Sequence, residues 1–199
     1  MALFCGEEFL FSVDMETYFA QHLAPGMCLE EEELEQLWQK SQLRKAKDKA
    51  LQYLSLRDYA SGELYDKLRL KYDERASAAA VAAMAELGLL NDEGFARHRM
   101  KYLMGQNKSR SQIRRHLQEK GIDRAIIEPL LEELYQQQGE NEIDPEVATA
   151  VRLIEKSYGR KLEQGKKENV LAALARRGFS LGTARQAIEI WQENQEAAE

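Results

Sequence analysis

The feature that most limits what this chain can fold into is a helical unit that recurs three times. Its middle helix is the clearest part. Glu63-Leu64 leads to Leu68 and then Lys71-Tyr72. Gln112-Ile113 leads to Leu117 and then Lys120-Gly121. Asn169-Val170 leads to Leu174 and then Arg177-Gly178. In each copy two apolar residues stand four apart, on one face of a helix. A basic residue follows where it complements the negative end of the helix dipole. Copies two and three then place a glycine, the usual left-handed C-cap. Copy one has Tyr72 there, so its helix must end by another route.

Each middle helix has apolar partners on both sides. Ala46, Ala50, Leu51 and Leu54 precede the first, and Val81, Met84 and Leu87 follow it. Phe95, Ala96, Met100 and Leu103 precede the second, with Ile127, Leu130, Leu131 and Leu134 behind. Val147, Val151 and Ile154 precede the third, with Ala184, Ile188 and Trp191 behind. Asp92 and Asp144-Pro145 read as helix starts. The copies are unevenly spaced, and the extra length falls in the polar stretches 136–143 and 158–165, read as loops. Pro129 breaks a local rule, because an interior proline removes a bond and crowds the preceding turn. A helix beginning near Glu128, or a kink, is expected there.

Helices of about three turns are marginal alone in water, so their stability must come from packing apolar faces on neighbours. The pattern therefore predicts an all-α fold, an elongated solenoid of three tandem three-helix repeats. The repeats are placed at 44–90, 91–137 and 145–193. A small acidic N-terminal module occupies 1–43, a short β-hairpin plus a helix. Phe9, Phe11 and Val13 alternate as in a strand, which Cys5-Gly6-Glu7-Glu8 turns back on Leu3-Phe4. Asp14 suits an N-cap for a helix over 15–22, and Pro25-Gly26 breaks the chain. Glu30 to Glu33 suit a second helix start, with Leu34, Leu37 and Trp38 on one face.

Composition narrows the function classes. At 44% apolar and 31% charged residues the chain is ordinary globular protein, not a disordered one. No apolar run approaches the roughly 20 residues that span a bilayer. Met1 to Cys5 lacks a basic leader, so the expected compartment is the cytoplasm. Cys5 and Cys28 have no metal-ligand spacing and read as two partly buried thiols without a disulfide. His22, His98 and His116 form no HExxH, and neither a phosphate loop nor a nucleophile elbow occurs. Neither an enzyme nor a cofactor is expected.

The net charge of −6 is unevenly spread. Residues 1–40 hold nine carboxylates against one lysine, whereas residues 91–124 hold nine Lys or Arg against four Asp or Glu. A protein's field acts locally, so the second stretch is the candidate binding face. Arg97, Arg99 and Lys101 lie on the first helix of repeat two, Lys108 and Arg110 in the turn, and Arg114, Arg115 and Lys120 on the middle helix. Ser111 fits the N-cap of that helix, so backbone N–H groups and cations are expected to converge on a phosphate. Lys156, Lys166 and Lys167 of repeat three extend the face, alongside Arg152, Arg160 and Lys161. Tyr102, Tyr158 and Phe179 are candidates for stacking on bases.

Several of these residues carry a resemblance. Ala50-Leu51-Gln52-Tyr53-Leu54 followed by Arg57, then Ser61-Gly62-Glu63-Leu64 and Leu68, are similar to the RecX family of recombinase regulators. So are Leu87-Gly88-Leu89-Leu90-Asn91-Asp92-Glu93-Gly94-Phe95-Ala96 and Lys120-Gly121-Ile122. The resemblance covers about 44–191, weakest in the third copy, and touches the front module at Phe11-Ser12-Val13 and Pro25-Gly26-Met27. Tyr72, Gly94 and the overall acidity depart from the family's habit. The resemblance implies a cytoplasmic monomer without cofactor that binds the RecA recombinase filament on single-stranded DNA. The DNA is met directly or through the filament. It also implies a part in homologous recombination and the SOS response, with filament growth or strand exchange restrained. A general helical DNA-binding protein and a repeat scaffold for another partner remain open beside it.

Overall fold

The structure is a computed structural model that describes residues 1–137 and 143–197. The chain forms two compact units, Met1–Asn91 and Asp92–Glu199. Apart from one hairpin every described element is a helix, and the helices group in threes as the apolar spacing predicts.

In the first unit β1 (Ala2–Cys5) and β2 (Glu8–Ser12) pair antiparallel around Gly6, whose φ of 63° a side-chain-bearing residue rarely adopts. Asp14 then caps α1 (Met15–Ala20) by accepting from Thr17 N–H at 2.8 Å. The module docks on α2 (Glu31–Leu54): Lys45 and Ser41 donate to the Ser12 carbonyl, and Arg44 pairs with Glu16. A single helix therefore crosses position 43/44, which the sequence reading treats as a boundary. The charge changes sign there, but charge does not stop a backbone, and the helix contains neither Gly nor Pro. Cys5 and Cys28 are both exposed free thiols, a correction to the partly buried reading. The hairpin is too small to cover either.

Repeat one packs α2 along α4 (Glu74–Glu86), with α3 (Ser61–Arg69) against both. Ala46, Ala50, Ala76 and Ala80 let the two long helices approach closely around Leu64, Leu68 and Met84. Leu51 and Leu87, expected in this core, are 44% and 66% exposed. Leu51 lies beside the Ala46–Ala50 stripe, one residue out of phase, and Leu87 is the C-cap of α4. The first middle helix does end differently. Lys71 and Tyr72 N–H both return to the Leu68 carbonyl, at 2.9 and 3.0 Å, without a left-handed residue.

The second unit holds repeats two and three. Repeat two is α5 (Asp92–Gly105), α6 (Arg110–Glu119) and α7 (Arg124–Gln137). Repeat three is α8 (Pro145–Ser157), α10 (Lys167–Arg176) and α11 (Leu181–Glu196), with α9 (Gly159–Glu163) inserted. Both middle helices close through a left-handed glycine, φ 74° at Gly121 and 84° at Gly178. Ile122 N–H then reaches the Leu117 carbonyl and Phe179 N–H the Leu174 carbonyl, each at 3.2 Å, and both following side chains are buried.

Two expectations change here. The stretch 158–165 is not all loop: α9 forms there and buries Leu162, one turn beyond Tyr158. Most of the loop expected at 136–143 lies outside the described residues. Pro129 does not open α7, which starts at Arg124 and runs through it. Asp123 caps the earlier turn by accepting from Ala125 N–H at 2.7 Å, and fully buried Ile127 anchors it. Leu130 and Leu131 are buried as well, and the burial of all three side chains around the proline offsets the bond lost there.

Candidate functional site

The start of α6 decides whether the expected phosphate seat exists. Its N-cap is Ser109, not Ser111: Ser109 Oγ accepts from Gln112 N–H at 3.2 Å, and the Gln112 side chain accepts from Ser109 N–H. Ser109-x-x-Gln112 is a capping box, whereas Ser111 has Arg114 three residues on. The seat itself is taken from within the chain. Arg110 N–H donates to Glu146 Oε1 of α8 at 3.1 Å, and Ser109 Oγ donates to the Arg177 carbonyl at 2.7 Å. A carboxylate stands where a phosphate was expected, so the convergence of N–H groups on an external anion is corrected.

The cations of repeat two do not share one face. Arg97 reaches from α5 to Glu133 of α7 at 2.8 Å and to Glu93 at 3.1 Å. Arg99 donates across to His116 Nε2 of α6 at 2.9 Å. Arg114 forms a two-point pair with Glu128 of α7, at 2.6 and 2.9 Å. One arginine thus lies in each of the three grooves between the repeat's helices, held by an internal acceptor. Arg110 lies over the Tyr135 ring, 5.4 Å from its centroid. Lys108 and Lys120 are half-buried, while Lys101 and Arg115 are exposed, Arg115 only 3.7 Å from Glu119.

Repeat three is more open. Lys156 and Lys166 are exposed and Lys167 half-buried, with Lys166 bonded to Gln164 at 2.9 Å. Lys166 is the N-cap of α10 and Lys167 its first residue, with no side-chain cap between them. Cations at a helix N-terminus oppose the dipole by about 0.3–1 kcal/mol each. Natural sequences usually place Ser, Asp or Glu there; here Glu168, the second residue of α10, is the acidic member of the first turn, and the two lysines before it stand against the helix's own preference. Of the three stacking candidates, Phe179 is 4% exposed inside the repeat-three core and is withdrawn. Tyr158 is half-buried near Lys161 and Arg177, and Tyr102 is exposed beside Arg99.

One cluster went unread in the sequence. Tyr53, Arg57, Tyr59 and Lys67 of repeat one come together through a turn. Their spacing, basic residues alternating with tyrosines across the α2–α3 junction, was the available signal. Among the described residues no group of three metal-ligating side chains assembles, and no helix is long and apolar enough to cross a membrane.

Two glutamates at these grooves titrate in opposite directions. The Arg114 hydrogen bonds hold Glu128 below the ordinary carboxylate value. Burial pushes Glu146 above it, against the Arg110 N–H bond. A lowered value contributes stability above the unfolded pKa, lost as pH falls through the folded one. A raised value contributes stability at low pH, lost as pH rises through it. Glu128→Gln is therefore expected to destabilise at pH 7 and to match the parent in strong acid. Glu146→Gln keeps an acceptor for Arg110 N–H and is expected to stabilise slightly at pH 7, the gain vanishing below about pH 4.5. Urea midpoints of both variants across pH 3–8 check the two signs.

Tandem three-helix repeats of this kind define a helical-repeat protein. Family comparison is more particular. The RecX first three-helix domain matches residues 46–83 and the second matches 91–131. Regulatory protein RecX of Caldanaerobacter subterraneus subsp. tengcongensis is 30% identical over 142 residues, covering 71% of this chain and 72% of that protein. The crystal structure of RecX from Lactobacillus salivarius superposes with a TM-score of 0.63 at 28% identity, covering 76% of this chain and 97% of that one. A second crystal structure, of regulatory protein RecX, covers 92% of this chain and 89% of its own, with a TM-score of 0.67. At 20% identity it supports the fold alone. The chain belongs to the RecX family of regulatory proteins.

Proposed function

We propose that this chain binds the RecA recombinase filament on single-stranded DNA and restrains its ATP hydrolysis, extension and strand exchange. It acts by binding and not by catalysis, as a cytoplasmic monomer, in the regulation of recombinational repair. Consecutive repeats give it consecutive contacts, so that one molecule bridges neighbouring filament subunits.

The observation that carries this reading is the placement of Lys166 and Lys167 at the start of α10, where helix physics disfavours them. Sites that break a local rule at some loss of stability are where function is expected. Lys101, Arg115 and Lys156 are the other exposed members of the predicted set. Arg97, Arg99, Arg110 and Arg114 are taken up by contacts within repeat two, with Glu133, His116, the Tyr135 ring and Glu128.

The test separates binding from folding. Lys166→Asp with Lys167→Glu supplies a cap and a favourable charge, so stability is expected to rise by about 0.5–1.5 kcal/mol. The same variant is expected to lose most of its co-sedimentation with recombinase filaments. Wild type is expected to sediment with filaments more than with bare single strands. Equal binding to bare strands, with no effect of recombinase, would replace this reading by a general DNA-binding one.

A further inference from the structure

Repeat one carries an arginine that is fixed on an edge and on one face. The Cζ of Arg57 lies 3.6 Å from the centroid of the Tyr59 ring, a stacking distance. Its edge is held by Glu63 at two points, 3.0 and 3.2 Å, and Nη1 also donates to the Asp58 carbonyl at 2.8 Å. The Arg57 side chain is nevertheless 48% exposed, while that of Glu63 is 14% exposed. Tyr59 itself is buried, so the guanidinium, not the ring, is the plane that solvent meets.

Cations flank this stack. Lys67 Nζ lies 5.4 Å from the Tyr59 centroid and 5.0 Å from that of Tyr53, and Lys49 Nζ, which donates to Gln52 Oε1 at 3.0 Å, lies 5.0 Å from Tyr53 on the same helix, α2. The two rings are 6.0 Å apart, so Arg57, Lys67 and Lys49 surround one aromatic pair. A guanidinium is flat, weakly hydrated and stacks well, whereas an ammonium meets a phosphate as a point charge. An acidic peptide would use the charges but has no need of the plane. An unpaired base with flanking phosphates uses both.

We infer that the Arg57–Tyr59 stack is a platform for an unpaired nucleobase, with Lys49 and Lys67 placed for the adjoining phosphates. It rests on the nucleic-acid part of the reading above and adds a base-sensitive contact in repeat one, where that reading places none. Glu63 acts as a positioning residue: it fixes the plane before a base arrives, so little side-chain freedom is lost on stacking.

The full-length protein is titrated against a thymidylate 15-mer and against an abasic strand of the same length and charge. The platform predicts about tenfold tighter binding of the base-bearing strand. Arg57→Lys keeps the charge and loses the plane, so it is expected to close that gap. Lys67→Ala is expected to weaken both strands alike. Should Arg57→Lys fail to fold, unaltered protein is photo-cross-linked to a strand bearing 5-iodouracil, with adducts expected between Tyr53 and Lys67. Equal affinity for the two strands, or adducts only beyond Asp92, would overturn the platform. Filament binding that survives equal affinity leaves the regulatory reading standing, and a base preference without filament binding does the reverse.

Discussion

Gly178→Val is expected to lower stability by about 3–5 kcal/mol, while Gly165→Val lowers it by about 1–2 kcal/mol. Both glycines have left-handed backbones, φ 84° and 73°. They differ in what a side chain would meet. A Cβ at Gly178 would fall 2.9 Å from Ser109 Oγ and 3.1 Å from Ser111 Cβ, whereas a Cβ at Gly165 meets nothing within 4 Å. Gly165 therefore measures backbone strain alone, and the difference measures the junction of repeats two and three. That junction is closely built. The Ser109 hydroxyl that caps α6 also donates to the Arg177 carbonyl, and Glu146 of α8 takes the next N–H. Valine at 178 would push the α10 end off the α6 start and break both contacts. Urea unfolding of the three proteins supplies the values. Equal losses at the two glycines would mean that the junction yields without resistance.

Leu117→Ala carries the other large effect, about 2–5 kcal/mol, because Leu117 has no exposed surface and the surrounding helices cannot close over the gap. Leu87→Ala is expected to cost under about 0.5 kcal/mol. The periodic pattern treats the two leucines alike, and only the fold separates them: Leu87 is 66% exposed at a helix end. Midpoint shifts of similar size for both would contradict the placement of the core.

The pair shows what was legible in the sequence. Positions four apart on a short helix, Leu64 and Leu68 or Val170 and Leu174, announced their burial because an amphipathic helix has one place to hide that face. Local caps were equally readable: Asp14, Asp144 and the glycines at 121 and 178 act through neighbours in the chain. The α6 cap is local as well: Gln112, three residues after Ser109, selects Ser109 over Ser111. The arginine pairings were not readable. Glu128 lies 14 residues from Arg114 and Glu133 lies 36 from Arg97, and nothing local joins them. Basic residues counted along a sequence predict potential, not direction. Packing turned Arg97, Arg99 and Arg114 into three separate grooves. The Arg57–Tyr59 stack joins residues only two apart, and its spacing is visible in the sequence, but that the guanidinium lies over the ring depends on how the chain turns between α2 and α3.

Those pairings also change how the binding face is to be probed. Reversing Arg114 would set a third carboxylate beside Glu128 and near Glu146, so a loss of activity there would report folding. Arg115, 72% exposed, is the cleaner position.

The most direct test of the account is the rate of ATP hydrolysis by recombinase filaments on single-stranded DNA as this protein is added. The account predicts a fall in rate with wild type and a much smaller fall with Lys166→Asp/Lys167→Glu at equal or greater stability. A rate that stays unchanged at saturating wild-type protein would contradict it.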